Sequence, residues 1–192
     1  VICGNAYLGD SVPALAPRVM PVSTQVMATE PLSDALAKEL LPSDSCVEDV
    51  RYILDYFRLS ADHRMLFGGR VSYSGITPPN LAASMRRRMV QVFPSLAQIP
   101  IDYAWGGAVG VTMNRLPHMG RLGNVFYAHG FSGHGALVTT LAGELIAEAL
   151  AGTASRFDVM ASLPKRPFPG GKWMRRPLAT LGLLWYALKD RL

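Results

Sequence analysis

The hydrophobic positions fall into three kinds of pattern. From Val19 to Thr29 apolar and polar residues alternate with β-branched enrichment, which predicts a half-buried strand. Tyr52 to Leu59 and Met65 to Gly69 predict two further strands joined through Ser60–Arg64, a hairpin signal. Ile101 to Trp105, ending at Gly106 and Gly107, and Val125 to Ala128 read as strands, and Val1-Ile2-Cys3 as a buried strand with no preceding turn. Helical spacing replaces this alternation in three places. Leu81, Met85, Met89 and Val92 share one face, with Asn80 as the expected N-cap and Pro94 as the stop. Arg86-Arg87-Arg88 then falls mainly on the solvent face. Leu137, Leu141, Leu145, Ile146 and Leu150 form a second stripe, opened at Ser132 or Gly133 and closed by Gly152.

The third stripe, Met174, Leu178, Leu181, Trp185 and Leu188, recurs at spacings of four, three, four and three. A stiff arm precedes it, with Pro164, Pro167, Pro169, Gly170 and Gly171. Its uninterrupted apolar stretch is about eleven residues, short of the ~20 of a membrane span. The chain's own body, a partner subunit or a membrane surface could each receive such a face. The order strands, helix, strands, helix, with few parallel crossovers, predicts an α+β fold: an antiparallel or mixed sheet covered by helices. Four segments are expected: 1–18, a strand and turn; 19–104, a sheet with its helix; 105–155, strands, glycine turn and helix; and 156–192, the arm and amphipathic helix.

Composition is globular, with 49% hydrophobic and 17% charged residues. The net charge of +5 is a tail property: from Arg156 onward eight Lys/Arg face two Asp, leaving eleven basic against twelve acidic residues before it. A nucleic-acid protein would carry its basic surface on the body of the domain, so that class is set aside. Cys3 and Cys46 match neither a disulfide framework nor a metal spacing, which points to no metal and a reducing, cytoplasmic setting. The first residues carry no secretory pattern, and their abrupt apolar start reads as a cut from something longer.

The segment Gly130-Phe131-Ser132-Gly133-His134-Gly135, between a strand and a long apolar helix, carries the clearest chemistry. A glycine-rich turn at a helix N-terminus offers backbone N–H groups to a phosphate, an oxyanion or an electron-rich ring. Its spacing matches neither GxGxxG nor the phosphate loop, so a structural turn and an anion site stand side by side.

The run from Trp105-Gly106-Gly107 through Thr112, Asn114, Arg115 to Gly120, Asn124 to Ala128, Gly130 to Gly135 and Leu141 to Leu145 resembles the closing block of flavin amine oxidoreductases of the D-amino-acid-oxidase superfamily. Val1 to Gly9, Pro21 to Leu32 and Arg64 to Gly69 resemble earlier elements of the same family, and Phe168-Pro169-Gly170-Gly171 with the final helix resembles its γ-glutamylputrescine oxidoreductase branch. The resemblance implies that the chain is the substrate domain and the C-terminal remnant of an FAD-binding domain, whose GxGxxG half is missing. It implies FAD contacts at Gly4, Asn5, Ala6, Gly130, Phe131, Ser132, Gly133, His134 and Gly135, with the helix N-terminus facing the pyrimidine side of the ring. Gly107 stands where some relatives link flavin through cysteine, which implies non-covalent FAD. Leu137 stands where they carry a lysine for oxygen chemistry, and Val109 and Ser132 lie near carboxylate-binding arginines of glycine-oxidase-like relatives. A larger amine is therefore expected as substrate, against a wall of Tyr52, Tyr56, Arg58, Trp105 and His134, with no catalytic residue assigned. The alternative is a stand-alone ligand-binding or subunit-interaction module from a split or degenerate oxidoreductase.

Overall fold

The computed structural model describes every residue except 52–53, 73–79 and 190–192. The elements are β1 (Met20–Pro31), α1 (Asp34–Leu40), β2 (Val47–Glu48), β3 (Tyr56–Leu59), β4 (Arg64–Ser72), α2 (Leu81–Val92), β5 (Ile101–Val111), β6 (His118–Leu122), β7 (Val125–His129), α3 (Gly135–Leu150), α4 (Ser155–Ala161) and α5 (Gly171–Lys189). They form two compact units. One comprises Val1–Val22 and Ala108–Leu181, the other Ser23–Gly107 and Gly182–Leu192. Strands β1 and β5 each run from one unit into the other.

The 23–107 unit is built on a five-stranded sheet of order β2-β3-β4-β1-β5, antiparallel where β2 meets β3, β3 meets β4 and β4 meets β1. The expected hairpin is β3–β4, with Leu59 opposite Met65 and His63 at φ 60 in its loop. Met27, Leu59, Met65 and Phe67 from the sheet enclose one core with Met85 and Met89 of α2. Phe57 extends it, stacked 5.8 Å from Phe67 and edge-on to Phe93 at 4.9 Å. Helix α2 has the predicted extent, but Asn80 makes no capping bond with its side chain. The arginine run also departs from the sequence reading. Arg87 is exposed, whereas Arg88 donates through Nε and Nη2 to the two oxygens of buried Asp55, at 2.8 and 2.9 Å. The predicted 52–59 strand is observed only from Tyr56, and its first two residues lie outside the described ones. Helix α1 was not anticipated, although Ser33 Oγ accepts from Leu36 N–H at 3.3 Å as a cap does.

In the other unit, β6 and β7 form a hairpin across Gly123-Asn124, with Gly123 at φ 60. Met119, Phe126 and Ala128 of the hairpin pack on Ala142, Leu145 and Ile146 of α3 and on Phe157 of α4, which buries the predicted α3 stripe only in part. Leu137 and Leu141 remain exposed. Val1–Cys3 is not a full strand. Ile2 makes an isolated parallel bridge to Tyr127, after which Asn5–Tyr7 turn as a single 3-10 turn. Helix α3 begins at Gly135, later than expected, because Ser132 and Gly133 adopt φ of 53 and 100.

Candidate functional site

The glycine turn follows β7 directly and is held from two sides. Asn5, itself at φ 43, accepts the Gly130 N–H on its Oδ1 at 2.9 Å. Ser132 N–H donates to the Gly110 carbonyl at 2.9 Å, and Ser132 Oγ accepts from Thr112 N–H at 3.3 Å. The packing leaves no room for side chains at two of these places. A Cβ on Gly110 would lie 2.4 Å from Asn5 Oδ1, and one on Gly130 2.4 Å from the Thr112 methyl. Gly110 and Thr112 were not assigned to the site from the sequence; their role depends on the approach of β5 to the turn.

Beyond Gly130 the turn opens outward. A Cβ on Gly133 would meet nothing within 4 Å, and Gly133 and His134 are exposed. The first helical bond of α3 runs from Val138 N–H to the His134 carbonyl, 3.2 Å. The N–H groups of Gly135, Ala136 and Leu137 therefore precede the helical ladder and sit at the positive end of its dipole. Gly4 and Ala6 flank Asn5, so these two sequence-predicted groups meet within one unit.

Tyr56, Arg58 and Trp105 lie in the 23–107 unit. Tyr56 lays its ring over Gly68, where a Cβ would fall 1.9 Å away, and its hydroxyl lies 2.9 Å from Thr24 Oγ1. Arg58 is exposed and donates from Nε to the Leu59 carbonyl at 2.9 Å; Trp105 is about half exposed. Tyr52 lies outside the described residues.

Behind the turn is a pair that the sequence reading left without a role. His118 and His129 face each other across β6–β7, both buried, with His129 Nε2 2.7 Å from His118 Nδ1. Burial, reinforced by the charge of Arg18, pushes His129 down to about 4. His118 is pushed down to about 3 by burial, then by its histidine neighbour, Arg18 and Lys165. Both rings are thus neutral at pH 7, sharing one proton along their hydrogen bond. Among the described residues no cluster of His, Cys, Asp or Glu could hold a metal, Cys3 and Cys46 are unpaired, and no helix is long and apolar enough to cross a membrane.

The sequence model of the family described as FAD dependent oxidoreductase matches residues 1–149. The chain belongs to this family. It is 49% identical, over its whole length, to 46% of the γ-glutamylputrescine oxidoreductase of Escherichia coli K12. It is 39% identical to 44% of a probable oxidoreductase, OrdL, of Rhizobium meliloti. It thus spans about half the length of these curated relatives. The fold matches that of an L-proline dehydrogenase from P. horikoshii, with a TM-score of 0.62 at 20% identity over 79% of this chain and 42% of that one. A thermally stable fructosyl peptide oxidase mutant gives a TM-score of 0.66 at 14% identity over 91% and 46%. The mixed α/β architecture with an antiparallel sheet is accordingly that of FAD-dependent oxidoreductases, and the family implies FAD.

Proposed function

We propose that this chain is the C-terminal half of a flavin-dependent amine oxidoreductase acting on an amine of the γ-glutamylputrescine type. The observation that carries the reading is the open start of α3: backbone donors ahead of the helical ladder, beside a glycine at which nothing stands within 4 Å of a Cβ. Such a surface fits a flat, electron-rich ring approached edge-on. Gly4, Asn5, Ala6 and the 130–135 turn would hold FAD non-covalently, together with a preceding nucleotide-binding half. The 1–22 and 108–181 segments are then the flavin side, and the 23–107 unit the substrate side. When bound, FAD supplies acceptance of a hydride from the carbon beside the amine nitrogen.

The chain's own contribution is electrostatic and steric. The free N–H groups of Gly135, Ala136 and Leu137, with the α3 dipole, favour negative charge near Gly133. Asn5 and Ser132 fix the turn so that this arrangement exists before any ligand arrives. Tyr56, Arg58, Trp105 and His134 are proposed to line the path of the amine, with Tyr52. A cytoplasmic enzyme is the accompanying proposal, in keeping with the two unpaired cysteines.

The test is the full-length protein with Gly133→Val. A β-branched side chain at φ 100 fills the space the ring would need. Flavin content and reduction by γ-glutamylputrescine should both fall while circular dichroism stays native. Full flavin occupancy with normal reduction would make the turn a structural connection only, and would favour an interaction module instead.

A further inference from the structure

Away from the open face of the glycine turn, the 1–22 and 108–181 unit contains a narrow crevice with a cavity volume of about 10 Å³, lined by Arg18, Thr112, Asn114, His118, Lys165 and Arg166 among others. Its polar atoms divide into two groups. Thr112 and Asn114 are committed to the frame: Thr112 Oγ1 donates to the Leu116 carbonyl at 2.9 Å, and Asn114 Nδ2 to the Pro164 carbonyl at 3.0 Å, which fixes the arm on which Lys165 and Arg166 sit. The remaining side chains are three cations, Arg18, Lys165 and Arg166, and the imidazole of His118. Among the described residues no carboxylate lies within ion-pair distance of Arg18, Lys165 or Arg166. Lys165 spends one hydrogen on the Ala161 carbonyl and has two left.

His118 supplies the independent sign of a ligand. It is 3% exposed, its Nδ1 is occupied by His129, and its Nε2 has no hydrogen-bond partner. A buried imidazole nitrogen left unpaired is costly, so such atoms normally have a partner. If the shared proton rests on His129 Nε2, neutral His118 carries its own on Nε2 and is a donor. Three cations and an imidazole donor around one small cavity favour an anion, and about 10 Å³ admits one oxygen atom with the rest of the group at the mouth.

We propose that this crevice is an anion site taking one oxygen of a small oxyanion such as phosphate, with Arg18, Lys165 and His118 Nε2–H as its donors and Arg166 at the rim. The uncompensated charge is already felt by its neighbours. Burial and Arg18 together push the Lys165 ammonium down, and Arg18 acts in the same sense on both histidines. An anion there would relieve each of these and pin the Pro164–Arg166 arm to the end of β5.

The experiment follows thermal unfolding of the full-length protein at pH 7.5 while sodium phosphate replaces sodium chloride at constant ionic strength. Tm should rise saturably, because a ligand of the folded state stabilises it by mass action. Arg18→Gln and Lys165→Gln should each weaken the phosphate response roughly tenfold, the effect of losing one charge-assisted contact. Arg156→Gln, whose arginine is already paired with Glu144 and Glu148, should leave the response unchanged. If Arg18→Gln does not fold, Lys165→Gln and Arg166→Gln carry the comparison, with the His118 Nε2 resonance of the unaltered protein, which phosphate should shift. A Tm that follows ionic strength alone, a wild type without response, or an equal response in all variants overturns the proposal; the crevice would then hold water or a carboxylate of the longer chain.

Discussion

Asn5 Oδ1 takes the N–H of Gly130 at 2.9 Å, joining residues 125 positions apart. The contact sits where β5, β7 and the first turn of the chain converge, and Gly130 is buried. Asn5→Ala would strand that N–H and also place a non-glycine, non-asparagine residue at φ 43. We expect a loss of about 2–3 kcal/mol in urea unfolding. Asn5→Asp, which keeps the acceptor, should recover most of it. Equal losses in both variants would show that the amide's other atoms matter more than this bond.

Two glycines of the turn should respond to different degrees. Gly130→Ala brings a Cβ to 2.4 Å from the Thr112 methyl at φ 69, and should cost about 3 kcal/mol. Adding Thr112→Ser removes that methyl while keeping the hydroxyl bonded to the Leu116 carbonyl, and should restore part of the loss. Gly133→Ala has open space around it and should cost only its backbone term, about 1 kcal/mol. Chemical denaturation of the single and double variants measures all three.

Arg88 and Arg87 give the strongest contrast on one helix. The Asp55 side chain is 3% exposed and both its oxygens are engaged by Arg88. Arg88→Ala leaves a buried carboxylate without its fork and should destabilise by about 3 kcal/mol. Arg87→Ala, on the exposed side, should change stability by no more than about 0.5 kcal/mol. Similar values for the two would mean that Arg51, 3.6 Å from Asp55 Oδ2, is enough to hold the carboxylate.

Acid should weaken the protein through the histidine pair. The folded state keeps His118 and His129 neutral down to about 3 and 4, whereas the unfolded chain takes up protons near the ordinary histidine value of 6.5. Below pH 6.5 the unfolded state therefore binds more protons, and stability falls as pH falls; above it neither state gains. By pH 5 the loss is roughly 2 kcal/mol per histidine. His118→Gln should remove about one proton from the pH slope between 6.5 and 5, read from unfolding free energies at several pH values. An unchanged slope would place the titration elsewhere.

Much of this was legible in sequence because the signals were local. Pro94 stops α2 where the apolar stripe ends, and the β3–β4 hairpin lies between two β-rich runs. The open glycine turn likewise announced itself by composition. Its details did not. Two positive-φ residues, Ser132 and Gly133, delay the helix to Gly135, and side-chain type does not reveal that. The histidine pair was hidden because β6 went unrecognised: once Leu122 pairs with Val125 across Gly123-Asn124, counting outward places His118 opposite His129. Arg88 sits in a run that reads as solvent-facing, and only the position of Asp55, 33 residues earlier, gives it a buried partner. Ser33 was a usable cap signal for α1 that the apolar pattern alone did not register.

The division of one unit between residues 1–22 and 108–181 has a kinetic meaning. Its Ile2 bridge to Tyr127 and its Asn5 contact to Gly130 can form only after the intervening 23–107 stretch has been synthesised and its ends drawn together. For a flexible loop of that length closure costs about 4 kcal/mol in entropy, and pairing β1 beside β5 in the sheet removes most of it beforehand. The sheet unit should therefore acquire amide protection first, the β6–β7 hairpin alone could form early, and the glycine turn should be the last region to mature.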